Sequence, residues 1–493
     1  MKLNVKQTIF VGLAFLIISM FWQVYDNIIA KMLIEAFGFN QVWSGVILAL
    51  DNVLALFLLP LFGKISDGTK TKFGKRTPYI AIGIVLSAIL FIGVALTHTS
   101  QVKLIEDAGI QDVVEITNGE DEVISYEYDG VAYTVEQRED AIEARRVDVW
   151  AVSQGNATFL ITFIGVLFVV LLVMSTYRTP AVALMPDVTP KPLRSKANAI
   201  INLMGSAGGI IALLFITVIT SIKKAQGVVV ESSYVLEFVT LAILMIGLLC
   251  VFLWRVKEPK LVEKNDQLIK EFGVDNVETI QEETAADMSP AVRKSFYLIL
   301  LSIVFWFMAY NAATSKFSVY ATQVLKMGYT LPLLMAQGAA IIVFIPIGII
   351  ASKIGRKKTI LIGICILFTA FILGTIANAN TTFLIYITMA MAGIGWATIN
   401  VNSYPMVVEM SKGANIGKYT GYYYSASMFA QIVTPILSGW IMTQFFNNNM
   451  RPLFPYCVVF CVLAFITMSN VKHGDSKPIP VKNKIEAFEA MED

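Results

Sequence analysis

The sequence predicts an all-α polytopic membrane protein, with twelve transmembrane helices in two six-helix pseudo-repeat bundles and an extracytoplasmic insertion. Three observations predict this fold class: an apolar composition, twelve long apolar runs and an internal repeat. The chain is 56% hydrophobic and 15% charged, whereas a soluble domain carries about 25% charged residues. A chain with so few charges lacks the polar surface that a soluble fold needs.

Each apolar run has roughly the 20 residues that a helix needs to cross a bilayer. The runs are predicted to be helical because lipid offers the backbone no hydrogen-bond partners. The twelve predicted spans lie at about 8–31, 43–65, 78–98, 157–184, 197–221, 234–254, 296–320, 331–352, 358–377, 381–408, 418–444 and 452–470.

Lysine and arginine predict the orientation. They are concentrated in loops that follow even-numbered spans, such as KISDGTKTKFGKR (64–76) and SKIGRKK (352–358). Positively charged loops stay on the cytoplasmic side, so these loops and both termini are predicted to be cytoplasmic. We therefore expect a multi-pass protein of the cytoplasmic membrane.

These spans divide the chain into an N-terminal bundle, a linker, a C-terminal bundle and a tail. The linker and the tail are predicted to be cytoplasmic, and the linker segment LVEKNDQLIKEFG predicts a short amphipathic helix. The four predicted parts are 1–256, 257–294, 295–472 and 473–493.

An acidic insertion (100–155) separates the third and fourth spans. Residues 100–150 contain 14 acidic and 4 basic side chains. The stretch EVISYEYDGVAYTVEQ alternates apolar and polar residues around an Asp-Gly pair, which predicts a β-hairpin. Two interpretations stay open: a solvated decoration, or an outer lid or partner-binding knob.

The two halves of the sequence repeat each other. At an offset of 285 residues, Tyr25 and Asp26 fall on Tyr310 and Asn311. Parallel six-helix repeats place the substrate between the halves near the membrane midplane. Asp26 and Asn311 are therefore expected at equivalent depths on two helices that line a central cavity.

Three charged residues inside the spans are candidates for cation or proton coupling: Asp26, Asp51 and Arg178. A charge at the centre of a membrane helix costs about 2.5–3.5 kcal/mol on insertion scales, and a poorly hydrated carboxylate favours its neutral form, which suits proton binding. Alternatives stay open. Asp26 pairs with Lys31 or another base and orients helices, or it lines an outer vestibule, and Arg178 extends to the interface from a helix end.

The spans contain amide and aromatic side chains, and together they suit a polar solute that needs hydrogen-bonding partners and flat apolar surfaces. Each one alone is equally explained by packing between helices. The candidate substrate-binding residues are Trp22, Tyr25, Asn202, Trp306, Tyr310, Asn311, Trp396, Asn400, Tyr404 and Gln431.

Charged residues at the predicted cytoplasmic helix ends are candidate gating residues that hold the halves together when the inner gate is shut. Asp67 is also expected to favour a helix N-terminus, such as the one near Lys418, through the helix dipole. The candidates are Asp67, Arg76, Asp187, Arg194, Glu409 and Lys418.

Several function classes are disfavoured. A net charge of +2 argues against a nucleic-acid partner. Four cysteines in apolar runs and two dispersed histidines argue against a metal or disulfide framework and against an enzyme. The chain has no GxxxxGK[ST] loop for ATP. We expect a monomer without cofactor.

Sequence motifs add a family resemblance. The pattern G-x-x-x-D followed by a basic cluster, in GKISDGTKTKFGKR, resembles the signature loop of the major facilitator superfamily. LPLFGKISDGTKTKFGKRTPYI, RTPAVALMPDVTPKPLRSKANAI and NSYPMVVEM resemble the glycoside–pentoside–hexuronide:cation symporters, especially their sucrose-transporter-like branch. The resemblance implies the major facilitator fold, alternating access, and uptake of sugars or glycosides with H⁺ or Na⁺.

The chain departs from one pattern of that family. Where melibiose permease carries cation-binding carboxylates, this sequence aligns Ala55, Leu59 and Arg178, which favours H⁺ over Na⁺. The sequence therefore predicts cation-coupled uptake of a sugar or glycoside by secondary active transport. The alternatives are an exporter or amphiphile and lipid transporter of the same fold, and a non-transporting sensor.

Overall fold

The structure is a computed structural model. The described residues are 3–29, 31–117, 123–226, 233–272, 289–317, 320–321, 324–325, 327, 330–410, 415–446 and 450–475. Part of the predicted linker (273–288) and most of the predicted tail (476–493) lie outside the described residues.

Six long apolar helices precede the linker, and each matches a predicted span. The first helix, α1, continues beyond Val24 as two π-helical segments, Tyr25–Ile29 and Met32–Ala36. The helices are α1 (Val5–Val24), α2 (Gln41–Asp67), α3 (Thr77–Asp107), α5 (Thr158–Asp187), α6 (Arg194–Ala225) and α7 (Val235–Arg255).

Six further apolar helices follow the linker. They are α9 (Pro290–Ser315), α10 (Thr330–Ile354), α11 (Arg356–Ile376), α12 (Phe383–Glu409), α13 (Ile416–Phe446) and α14 (Leu453–Ser469). Within the described residues, eleven helices are long and apolar enough to cross a membrane, and α14 is a shorter apolar helix of 17 residues. The predicted helical membrane fold is confirmed.

Polar side chains before the helices explain where several of them begin. The Asn4 and Asn40 side chains accept hydrogen bonds from the backbone N–H of Gln7 (3.1 Å) and Trp43 (2.9 Å). Both asparagines occupy the N-cap position, where a side-chain oxygen satisfies a backbone donor that lacks a helical partner. These caps fix the first turns of α1 and α2.

The two halves pack in the same pattern. In the first half, α1 packs against α6, α2 against α5, and α3 against α5 and α7. In the second half, α9 packs against α13, α10 against α12, and α11 against α12 and α14. In each half the first helix therefore contacts the fifth, the second contacts the fourth, and the third contacts the fourth and sixth.

Helices of the two halves meet along two seams, α2 with α13 and α6 with α10 and α12. The α2–α13 seam is tight because a glycine lies at each of its closest points. A Cβ atom on Gly63 would overlap the carbonyl oxygen of Gly417, and one on Gly421 would overlap the backbone of Pro60. The end of the bundle that contains Asp67 and Gly417 is called the closed end.

The insertion contains more structure than the predicted hairpin. Strands β2 (Val123–Tyr128) and β3 (Val131–Thr134) form that hairpin around Asp129 and Gly130, which both have positive φ angles, as a type I′ turn requires. A further strand, β1 (Val114–Thr117), completes an antiparallel sheet in the order β1-β2-β3. Helix α4 (Arg138–Gly155) then leads to α5.

Two arginines of α4 attach the insertion to the first half. Arg145 donates to the carbonyl of Glu35 (3.0 Å), and Arg146 donates to the carbonyl of Gly38 (2.7 Å). Gly38 has a positive φ and lies against the backbone of Trp150, where a side chain would not fit. The insertion is thereby fixed to the connection between α1 and α2.

The linker begins with the predicted amphipathic helix, α8 (Glu258–Phe272). Its first residue, Glu258, is buried and caps α3. The carboxylate accepts hydrogen bonds from the backbone N–H groups of Lys75 (2.8 Å), Arg76 (3.0 and 3.1 Å) and Thr77 (2.8 Å). The linker is therefore bound to the same loop that carries the candidate gating residue Arg76.

Candidate substrate and coupling site

The three charged residues of the spans come together in the first half. Asp26 lies in the π-helical segment at the end of α1, Asp51 lies in α2 and Arg178 lies in α5. The three groups interact electrostatically. π-Helical segments are rare and often occur at functional sites, so the change in helix geometry at Asp26 marks this position independently of its charge.

The carboxylates are open to solvent in spite of their position within spans. Asp26 is exposed and Asp51 is half-buried. Neither takes part in any of the ion pairs formed between described residues. The alternative in which Asp26 pairs with a nearby base is not seen in this conformation.

Arg178 packs between two aromatic rings instead of pairing with a carboxylate. Its guanidinium carbon is 5.1 Å from the ring centre of Trp22 and 5.1 Å from that of Tyr424. Cations attract the faces of aromatic rings, with energies from about 0.5 kcal/mol to about 2 kcal/mol when desolvated. Trp22 belongs to α1 and Tyr424 to α13, so Arg178 joins the two halves.

Aromatic pairs occur on both sides of the site. In the first half, Trp22 and Tyr25 pack edge to face with ring centres 5.2 Å apart. In the second half, Tyr310 and Trp396 are stacked at 4.3 Å with an angle of 9° between the ring planes. Trp22 and Tyr25 belong to the first helix and Tyr310 belongs to α9, the two helices that the internal repeat predicts to line a central cavity, and Trp396 belongs to α12.

Four polar atoms of predicted substrate-binding residues are buried without a hydrogen-bond partner among the described residues. They are Trp22 Nε1, Tyr25 Oη, Asn202 Nδ2 and Asn311 Nδ2, and each can donate a hydrogen bond. Leaving a buried donor unsatisfied costs about 1–3 kcal/mol. A bound ligand that accepts hydrogen bonds from these atoms would remove this cost.

The remaining predicted substrate-binding residues are already engaged within the protein. Asn400 Oδ1 accepts from the Tyr423 hydroxyl (3.2 Å), and Gln431 Nε2 contacts Met428 Sδ (3.7 Å). Trp306 is only 1% exposed and packs in the core of the second half.

Tyr404 takes part in the contact between the halves. Its hydroxyl donates to the carbonyl of Val182 in the first half (3.1 Å) and lies 3.1 Å from the Thr420 hydroxyl. Asn198 forms a second such contact, because its Nδ2 donates to the carbonyl of Val401 (2.9 Å). These bonds lie between the candidate substrate site and the closed end.

The closed end of the first half is organised around Arg76, which is fully buried. Its Nε donates to Asp187 (2.8 Å), and its two terminal nitrogens donate to Ser66 and Asp67. Burial by itself would lower the pKa of Arg76, but the carboxylates of Asp187 and Asp67 outweigh burial and raise the pKa above its usual value. The guanidinium therefore stays charged at every physiological pH.

Asp67 also spans the seam between the halves. Its carboxylate accepts hydrogen bonds from the backbone N–H groups of Gly417 (2.9 Å) and Lys418 (2.9 Å) in the first turn of α13. The geometry is the one expected for Asp67 from the sequence. Lys418 contributes its backbone to this contact, and its amine lies over the ring of Tyr422 instead.

A second charged cluster joins the other seam. Glu409 forms ion pairs with Arg194 of the first half (3.2 Å) and with Arg356 of the second half (2.9 Å). Arg356 also donates to the Ser195 hydroxyl (3.0 Å) and to the carbonyl of Lys191. Both seams thus close through buried guanidinium and carboxylate groups.

Sequence reasoning missed three residues that the structure places at these sites: Arg356, Glu258 and Tyr424. One signal for Arg356 was available, because the glycine and basic pair of SKIGRKK repeat the ending of the loop that contains Arg76. The other two residues have no distinguishing local pattern.

Family comparisons match nearly the whole chain. The model described as Major Facilitator Superfamily matches residues 149–345 and 333–490, and the one described as MFS/sugar transport protein matches residues 10–109. Comparison with curated protein sequences gave no match.

Solved structures of transporters share the fold. An E. coli fucose:proton symporter, FucP, is 13% identical with a TM-score of 0.62, over 95% of this chain and 99% of that one. The proton:xylose symporter XylE is 14% identical with a TM-score of 0.61, over 98% of each chain. A bacterial homologue of the iron transporter ferroportin is 10% identical with a TM-score of 0.64, over 95% and 99%. Because the first family model covers more than half of the chain, the protein belongs to the Major Facilitator Superfamily, a superfamily of membrane transporters.

Proposed function

We propose that this transporter takes up a sugar or glycoside together with H⁺ by alternating access. Trp22 Nε1, Tyr25 Oη, Asn202 Nδ2 and Asn311 Nδ2, the buried donors without a partner among the described residues, are called the orphan donors. They carry the proposal, because they match the oxygen-rich surface of a sugar. The aromatic ring pairs of both halves supply the flat apolar surfaces that sugar C–H groups require. The match of residues 10–109 to a family model described as a sugar transport protein supports the same substrate class.

The coupling cation is proposed to be a proton that binds to Asp26 or Asp51. Both carboxylates interact electrostatically with Arg178 in the first half, and neither is ion-paired with another described residue. Closure around substrate would bury the charge of either carboxylate at a cost of several kcal/mol, so a proton on either residue favours closure of the site. Two symporters with the same fold, FucP and XylE, are described as coupled to protons.

The two charged clusters at the closed end are proposed to act as latches. The hydrogen bonds between the halves that join described residues all lie between the closed end and the candidate site, the deepest running from Ser425 Oγ to the carbonyl of Leu56 (2.7 Å). We assign the closed end to the cytoplasm, which makes the conformation outward-facing. Opening would break the bonds of Asp67 and Glu409 across the seams.

Uptake of a labelled panel of sugars and glycosides into proteoliposomes tests the proposed function. We expect accumulation of at least one member when the exterior is acidic, and its collapse when an ionophore dissipates the pH gradient. Sodium should not replace the proton gradient. Accumulation of a detergent-like amphiphile, with no response to any sugar, would favour the amphiphile transporter instead.

The orientation is tested by labelling single cysteines in a background without the four native ones. Asp129→Cys in the hairpin turn should react with a membrane-impermeant maleimide in intact cells, and Lys70→Cys and Lys264→Cys should react only after permeabilisation. Rapid labelling of Lys264→Cys in intact cells would reverse the proposed orientation.

Substrate binding should depend on the orphan donors. Trp22→Ala and Asn311→Ala each remove one donor, and we expect the affinity for the sugar identified by uptake to fall at least tenfold, since a good hydrogen bond contributes about 1.5 kcal/mol. Calorimetric titration of purified protein measures the affinity. Trp43→Ala, at an exposed ring on α2, is the matched control, and equal affinity in all four proteins would remove these residues from the site.

A further inference from the structure

Arg178 of the first half, which lies near Asp26 and Asp51, is contacted by Tyr424 of the second half. Trp22 and Arg178 belong to the same half, but Tyr424 reaches Arg178 from α13. Tyr424 is half-buried, and its ring faces the guanidinium at a distance suited to a cation–π contact. The position of Arg178 therefore depends on the position of α13.

Tyr424 is part of the seam that closes the bundle. Its neighbours in α13 hold that seam: Ser425 donates to the carbonyl of Leu56, and Gly421 packs against the backbone of Pro60. When the closed end opens in alternating access, α13 withdraws from α2. Tyr424 then leaves Arg178, whereas Trp22 stays beside it.

The groups that could pair with the Arg178 guanidinium after it leaves Tyr424 are titratable. Among the described residues, those that interact electrostatically with it include Asp26 after α1, Asp51 on α2, Tyr177 on α5 and Tyr424 itself. Tyr177 is fully buried, which leaves the two carboxylates as partners for a released guanidinium. A guanidinium next to a carboxylate favours its ionised form.

We propose that Tyr424 is a positioning residue for proton coupling, which holds Arg178 away from Asp26 and Asp51 while the bundle is closed and releases it when α13 withdraws. In the closed state a carboxylate binds H⁺ from the open side. After release, Arg178 pairs with that carboxylate, the carboxyl O–H bond dissociates and H⁺ passes to the water that enters the opened end. This inference rests on the proposed proton coupling and assigns its timing to a contact between the halves.

Carbodiimide labelling tests the inference without a substrate. Dicyclohexylcarbodiimide reacts with protonated carboxyl groups, so labelling of Asp26 and Asp51 across a pH series, measured by mass spectrometry on the purified protein, reports their protonation. Tyr424→Leu and Tyr424→Met remove the ring and free Arg178 in the closed state. We expect half-maximal labelling to move about one pH unit lower, a tenfold weaker proton affinity.

Two matched variants separate the ring contact from a change in packing. Tyr424→Phe keeps the ring and should retain the wild-type labelling profile. Tyr422→Leu removes a neighbouring ring that contacts Lys418 and Phe296, and it should also retain that profile. A profile that is unchanged or moved to higher pH in both ring-deleted variants, or carboxylates that stay unlabelled at acid pH in the wild type, would overturn the proposal.

The same experiment distinguishes this inference from the proposed function. Suppose that half-maximal labelling moves to lower pH in the ring-deleted variants but that the wild type takes up no sugar. This result would retain Tyr424 as a positioning residue and reject the sugar assignment. Proton-driven sugar uptake by the wild type, with an unchanged labelling profile in the ring-deleted variants, would retain the sugar assignment and reject Tyr424 as a positioning residue.

Discussion

Replacing Asp26 or Asp51 with asparagine should abolish accumulation of substrate against its gradient and leave downhill exchange measurable. The amide keeps the size and hydrogen-bonding capacity of the carboxyl group but cannot gain and lose a proton. A pH gradient of one unit supplies about 1.4 kcal/mol per proton, equivalent to a tenfold concentration ratio. We expect the accumulation ratio in proteoliposomes to fall from about ten to about one in each variant.

The internal repeat of the sequence offers a comparison for the Asp26→Asn change. Asp26 aligns with Asn311 in the internal repeat of the sequence, and the amide of Asn311 cannot titrate. Asp129→Asn, in the hairpin turn of the insertion, makes the same chemical change outside the spans and should transport like the wild type. If both span variants, normally expressed, still accumulate substrate in response to pH, the coupling site lies elsewhere and these carboxylates are structural.

Introducing a side chain at Gly63 should hold the closed end open. A Cβ atom there would overlap the carbonyl of Gly417, whereas carbon and oxygen atoms rarely approach closer than about 3.3 Å. Gly63→Val therefore forces α2 and α13 apart and breaks the hydrogen bonds from the first turn of α13 to Asp67. We expect the initial rate of uptake to fall at least tenfold, because each 1.4 kcal/mol of lost stability in one state shifts the population tenfold.

A single reporter distinguishes an opened seam from a misfolded protein. Ser425→Cys, in a background without native cysteines, lies in the contact with Leu56 and should become reactive to a maleimide only in the Gly63→Val protein. Gly45→Val, in the same helix with no atom near the new side chain, should leave both transport and reactivity unchanged. Full uptake by Gly63→Val would show that the seam does not need this close approach.

The long apolar helices were predictable because the cost of exposing backbone to lipid fixes both their length and their secondary structure. The hairpin was predictable from Asp129 and Gly130, since few residue pairs accept two positive φ angles. The third strand and helix α4 were not. Strand β1 has only four residues and is held by its pairing with β2, and α4 is held by contacts with the α1–α2 connection, which is distant in sequence.

The candidate site shows where prediction from sequence ends. Asp26, Asp51 and Arg178 stand out because a charge inside an apolar run is costly. Tyr424 does not, because it is the last of three consecutive tyrosines, and successive residues of a helix point about 100° apart. Only the packing of α13 decides which of the three rings faces Arg178. Arg356 is similarly hidden in a basic cluster whose sequence indicates orientation alone.

The attachment of the insertion has a practical consequence for following the transport cycle. Arg145 and Arg146 fix α4 to the connection after α1, so we expect the insertion to move with the first half. A fluorophore on the hairpin turn and a second one on the α11–α12 connection near Asn378 would then sit on opposite halves. In the proposed alternating-access cycle the distance between the dyes would change as the halves move, so single-molecule fluorescence could follow the cycle.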